Sequence, residues 1–143
     1  MIMDTAALEK ILRDTLAKFN SETGTIHRLD AKTQLLHLVA HLGLPPHLLE
    51  VVKTIPVGKG IAGETVAKSR PVTICNLQTD TSGVAKPGAK QTGVGGALCV
   101  PVRDDLGEIV GTFGIGTRRE HEYTAAEINA LQDISREISG QVT

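Results

Sequence analysis

Residues 58 to 63 read Gly-Lys-Gly-Ile-Ala-Gly, a G-x-G-x-x-G string behind the apolar run VVKTIPV. In a dinucleotide-binding fold such a string opens the helix of a parallel strand–helix–strand unit, with an acidic residue, here Asp80, about twenty residues on. That crossover takes about a dozen residues or more. Here the helix has room only from Ile61 to about Ser69 before Pro71 interrupts it. Pro56 stands inside the would-be first strand, where it removes a ladder donor. Hairpins follow instead of further strand–helix alternation. The dinucleotide fold is therefore set aside. A phosphate-binding P-loop goes with it, because no G-x-x-x-x-G-K-[ST] occurs.

The rest of the chain supplies a helix, then strands joined by short turns, then a second helix. From Asp4 to about Asn20, Leu8, Ile11, Leu12, Thr15, Leu16 and Phe19 recur at helical spacing, with Asp4 or Thr5 as cap. GTIHRL and LLHLVAH read as two strands about the turn LDAKTQ, and LPPHLLEVV as a short helix. After the glycine string and the short helix IAGETVAKS come the strand PVTICNL, an aperiodic stretch from Gln78 to Gly96, and the strand ALCVPV. RDDLGE then makes a hairpin turn into IVGTFGIGT. From Thr124 to about Gly140, Ile128, Leu131, Ile134 and Ile138 share one side of a helix. Thr124 and Glu127 form its capping box, with Tyr123 placed as a staple. Short turns between strands predict a largely antiparallel sheet in an α+β fold.

At 143 residues the chain predicts one domain over 1–143, with an N-terminal helix within 1–22 and a closing helix over 124–140. Phe19, Phe113 and Tyr123 are the only aromatics, so aliphatic side chains fill the core and no base-stacking platform exists. A net charge of −1 offers no attraction to nucleic acid or anionic lipid. No apolar segment approaches membrane-spanning length, and Asp4 and Glu9 do not suit a signal peptide. Two cysteines, Cys75 and Cys99, fit free thiols in a reducing cytoplasm.

Two readings of the glycine string stand side by side. In one, Gly60 simply permits a positive-φ turn whose amides are satisfied by water or a neighbouring carbonyl. In the other, the unpaired first N–H groups of the helix bind a small anion. The stretch from Gln78 to Gly96 carries Lys86 and Lys90 and no acid between Asp80 and Asp104. It reads either as a mildly basic lid over that helix start or as a solvated loop.

Three segments together resemble a GAF domain: IPVGKGIAGETVAKSRPVTICNLQTD, GALCVPVRDDLGEIVGTFGIGT and HEYTAAEINALQDIS. The resemblance runs from about Gly24 to Ile138. It implies a PAS-related architecture, a central antiparallel sheet of five to six strands flanked by helices, with a small-molecule pocket on one sheet face. It also implies a non-catalytic sensory or regulatory role, without cofactor, often as a homodimer through the terminal helices. A single domain of this kind looks most like the nitrate-receptor type that works beside a sensor kinase. Carried over residue by residue, that type places a small anion on Gly60, Ile61 and Ala62, near Pro87 and Gly88, and against Val39. The receptor's pocket wall includes an aromatic, which this chain lacks near Val39.

Other readings fit less of the chain. The pattern of cyclic-nucleotide-binding members survives only as Thr117-Arg118, Tyr123 and Glu127-Ile128. Neither cysteine is followed by His, as pigment-binding members commonly have. The enzyme alternative is the free methionine-R-sulfoxide reductase type, which relies on cysteines over the pocket. Cys75 near the lid is the more accessible thiol here, and Cys99 lies in an apolar strand. His37 and His41, four apart on a strand, stand roughly 13 Å from one another, too far to share one metal ion. The histidines are expected at the surface, and Asp104-Asp105 in a turn. A ligand-free dimerisation or interaction module is the third class, in which Leu8, Leu12 and Phe19 would be exposed.

Overall fold

The computed structural model describes residues 5–74 and 95–142. Helix α1, Thr5–Lys18, buries Leu8, Leu12, Thr15 and Leu16 at the expected spacing. Strand β1, Thr23–Asp30, turns into β2, Leu35–Leu42. Asp30 holds the turn by accepting the Lys32 and Thr33 N–H groups on Oδ1 at 3.0 and 3.4 Å. A 3₁₀ turn, Pro46–Leu48, leads into the short helix α2, Leu49–Val52, and then into β3, Thr54–Pro56. Helix α3 covers Gly60–Lys68, and β4 covers Val72–Ile74. Strands β5, Ala97–Arg103, and β6, Ile109–Gly116, form a hairpin before helix α4, Ala125–Val142.

The strands make one six-stranded sheet in the order β3-β2-β1-β6-β5-β4. Every pairing is antiparallel, as the short turns require. Pro56 sits on the edge strand β3, where a missing N–H costs the ladder nothing on its open side. One sheet face packs on α1 and α4: Leu8, Leu12, Leu131 and Ile138 meet Ile26, Leu98, Val100, Val102 and Phe113. On the opposite face Leu36, Ala62 and Cys99 form a smaller cluster with Ile55, Ile61 and Val66 beneath α3. Alternation along β5 explains the division, since Leu98, Val100 and Val102 point one way and Cys99 the other.

The capping box forms as expected. Glu127 accepts the Thr124 N–H at 2.9 Å, and Thr124 Oγ1 accepts the Glu127 N–H at 3.2 Å. Helix α4 runs on to Val142, two residues past the expected end at Gly140, because the Val142 side chain is fully buried. Gly111 on β6 admits it closely.

Strand β2 departs from regular alternation. Its register with β1 shifts between Ile26, opposite Ala40, and His27, opposite Leu38, which leaves Val39 without a partner in a β-bulge. Val39 packs with Ala40 against the helix-covered core, whereas Leu36 faces α3. Leu8, Leu12 and Phe19 are buried within the chain, so the exposed apolar face that an interaction module would use is absent from α1.

Candidate functional site

The glycine string makes a tight turn from edge strand into helix. Gly58 and Gly60 hold φ of 89° and 64°, a region that side-chain-bearing residues enter at a cost. Gly63 lets the first turn of α3 lie directly on the end of β3. Its N–H donates to Lys59 O at 3.1 Å, and its carbonyl accepts the Gly58 N–H at 2.9 Å. A Cβ there would run into the Pro56 carbonyl oxygen. The N–H groups of Gly60, Ile61 and Ala62 precede the first intrahelical bond, and Lys59 at the N-cap makes no side-chain cap.

Those three residues line a cavity of about 170 Å³ between α3 and the sheet. The floor is Thr25 and His27 of β1, Cys99 of β5 and Gly114 of β6. Val51 and Val52 of α2 and Ile55 of β3 close one side, and the exposed Lys59 stands at the rim. Most of the wall is apolar, with few polar groups, the usual make-up of a small-molecule site. A volume near 170 Å³ slightly exceeds a benzene-sized cavity of about 150 Å³, so it suits a molecule of several heavy atoms.

His27 is the polar centre of the floor and is only 2% exposed, which corrects the expectation that the histidines lie at the surface. Its Nε2 lies 2.8 Å from the Val52 carbonyl at the end of α2. A carbonyl only accepts, so Nε2 carries the hydrogen and Nδ1 presents a lone pair. Nδ1 is buried and has no hydrogen-bond partner among the described residues. Burial lowers the His27 pKa to about 4, outweighing the Val52 bond that raises it, with His37 lowering it further. The ring is therefore neutral near pH 7. Across the ladder from His27 stands Thr112 of β6. Its hydroxyl is also buried and, apart from its approach to the Cys99 thiol, has no hydrogen-bond partner among the described residues.

Cys99 is buried, and desolvation pushes its thiol up to about 11, against hydrogen bonding with the Thr65 and Thr112 hydroxyls, which lowers it. A thiol held in that state is a poor nucleophile, since the thiolate is the reactive form. His27 and His37 are not opposed across the strands: His27 pairs with Leu38, and His37 with Arg28. Among the described residues no group of three or more His, Cys, Asp or Glu is placed to hold a metal ion. Asp104 has the turn role expected of it, accepting the Leu106 and Glu108 N–H groups at 2.9 and 3.0 Å.

Of the expected site residues, Gly60, Ile61 and Ala62 come together at the cavity. Val39 does not join them. It lies on the other side of the sheet, in the bulge, and lines a second pocket together with Glu9, Glu50 and Lys53. Pro87, Gly88, Cys75 and most of the expected lid lie outside the described residues. Sequence reasoning missed His27, Thr25 and Gly114. His27 follows Thr23 and Thr25 at a spacing of two, a polar alternation that ordinarily marks a solvent face.

A six-stranded antiparallel sheet with helices on both faces and a cavity under a short helix defines a small α+β domain. A family model described as GAF domain matches residues 3–140, and the chain belongs to that family. Comparison with curated proteins finds no sequence relative. Among solved structures, the GAF domain of an Acinetobacter phosphoenolpyruvate-protein phosphotransferase superposes with a TM-score of 0.78 at 18% identity, covering 96% of this chain and 80% of that one. The free methionine-R-sulfoxide reductase of Neisseria meningitidis, solved in complex with its substrate, gives 0.78 at 16% identity over 96% and 77% of the two chains. A Sinorhizobium meliloti domain, described as part of a two-component sensor histidine kinase protein, gives 0.74 at 18% over 96% and 89%. Identities this low establish a shared fold. Among the described residues no helix is long and apolar enough to cross a membrane.

Proposed function

We propose that the chain is a non-catalytic sensory domain of the reducing cytoplasm that binds a small molecule in the cavity beneath α3. The cavity carries this reading: an apolar hollow bounded by the N–H groups of Gly60, Ile61 and Ala62, which precede the first intrahelical bond of α3, where an anionic group is favoured. The titratable groups on its described wall support binding over catalysis. His27 is neutral, Cys99 is protonated, and Lys59 stands at the rim. Nitrate, the anion of the receptor type the sequence resembles, gains no support from the comparisons. Signal output requires a partner, a sensor kinase or a second copy of the chain, and the ligand must bind the active and silent states unequally. Because Leu8, Leu12 and Phe19 are committed to the core, a dimer through α1 would rest on that helix's polar outer face.

The structural neighbours favour one second reading, reduction of methionine sulfoxide. A thermal-melt screen of small organic and inorganic anions, run beside a methionine-R-sulfoxide turnover assay, separates the two. A ligand at about a hundred times its Kd stabilises the fold by roughly 2.7 kcal/mol, with no turnover. Turnover that vanishes in Cys75→Ser would overturn the sensory reading in favour of the enzyme.

A further inference from the structure

The segment from Leu44 to Lys53 borders the cavity and is held at its two ends. It leaves β2 through Gly43, which has φ of 81° and lies so close on the Glu22 carbonyl that no Cβ fits there. It rejoins the sheet where the Lys53 carbonyl accepts the Leu38 N–H at 2.9 Å. Between these ends Leu48 is buried, but α2 buries none of its own four residues. Leu44, Val51 and Val52 line the cavity, and Val51 is half exposed, which sets α2 between the hollow and solvent. A four-residue helix without a buried side chain has little to hold it, and segments of that kind open locally. The last carbonyls of a helix have no partner within it. His27 supplies one, donating its Nε2 hydrogen to the Val52 carbonyl at 2.8 Å and so tying α2 to the cavity floor.

We propose that α2 is a strap that opens to admit ligand to this cavity, and that the His27–Val52 hydrogen bond is its latch. This rests on reading the cavity as a ligand site. Opening unwinds Leu49–Val52 between Leu48 and the Leu38–Lys53 bond, which stay in place, and passes the Val52 carbonyl from His27 to water. Without a donor at position 27 the closed strap leaves that carbonyl unpaired, while the open strap still hydrates it. The equilibrium then moves toward opening by about the worth of one net hydrogen bond.

Cys99 supplies the readout, because it lines the same cavity and is buried. Iodoacetamide labelling is followed on the Cys99 peptide by mass spectrometry, which keeps Cys75 apart, beside amide hydrogen exchange of the whole chain. In the wild type, Cys99 labelling and exchange at residues 50–53 proceed through a local opening that low urea leaves unchanged, while the β1 and β5 amides exchange by global unfolding. In His27→Leu, Cys99 labels about tenfold faster and stays insensitive to low urea. His27→Gln, which keeps an N–H donor, recovers part of the protection. Labelling of His27→Leu at the wild-type rate would mean that the cavity is entered elsewhere, and the strap and its latch fall while the cavity reading stands. A gain that carries the urea dependence of global unfolding would mean that His27 only stabilises the fold, and the latch falls likewise. Cys99 labelled in the wild type by global unfolding alone would mean a sealed cavity, and the ligand reading falls with the strap.

Discussion

At the scale of single residues, His27 and Gly63 carry the most consequence. His27 has a folded pKa near 4 against an ordinary value of 6.5, so the unfolded chain takes up a proton that the folded chain refuses between those values. Its contribution is therefore fully present above pH 6.5 and is lost as pH falls toward 4, by on the order of 3 kcal/mol. Denaturant melts across that range will show the decline in the wild type and a shallower one in His27→Leu. Gly63 acts through contact: a methyl group there meets the Pro56 carbonyl and the Gly58 backbone, neither of which can swing aside. Gly63→Ala will cost about 1–3 kcal/mol, read from the midpoint of urea unfolding. The glycine string was thus legible as a special turn. Its dinucleotide spelling is incidental, because the third glycine serves the packing of α3 on β3.

Among the elements, α4 was almost wholly legible before the structure. Its start is written in Thr124 and Glu127, whose reciprocal bonds need no neighbour elsewhere in the chain. Thr124→Ala will destabilise by about 1 kcal/mol in thermal unfolding, and a Glu127→Gln change, which can still reach back, by less. Its end was not legible. Val142 stays helical because Gly111, on a strand thirty-one positions earlier, leaves room for it. Strand β2 shows the same limit. LLHLVAHL reads as one uninterrupted strand, yet the bulge at Val39 depends on how β1 registers against it, and it turns Val39 toward the helix-covered core and away from the cavity. A one-residue slip changes which face a side chain occupies, and no local signal in β2 announces it.

Across the whole molecule, the sheet works as a partition. Large apolar side chains of β5 and β6 fill the face under α1 and α4, and small residues on the other face, Gly114 of β6 and Thr25 of β1 among them, leave it hollow. A side chain at Gly114 would enter that hollow, first meeting Thr25 Oγ1 at 3.2 Å and then Cys99 Sγ at 3.8 Å. Gly114→Val will therefore retain the fold, seen as an unchanged far-ultraviolet dichroism spectrum, while cutting affinity for any cavity ligand at least tenfold by occupying its space. Ligand-induced stabilisation equal to that of the wild type would show that binding occurs elsewhere.

The sequence by itself determined the antiparallel α+β architecture, the two terminal helices, the capping box and the sharp glycine entry into α3, because these follow from local periodicity and turn chemistry. The GAF domain resemblance was likewise carried by consecutive residues. Only tertiary structure decided that His27 is buried and neutral, that its Nδ1 finds no donor among the described residues, and that Val39 belongs to the opposite face. Those outcomes depend on strand register and on a carbonyl twenty-five residues away. Distances between parts of a chain far apart in sequence are set by packing, and no pattern within one segment encodes them.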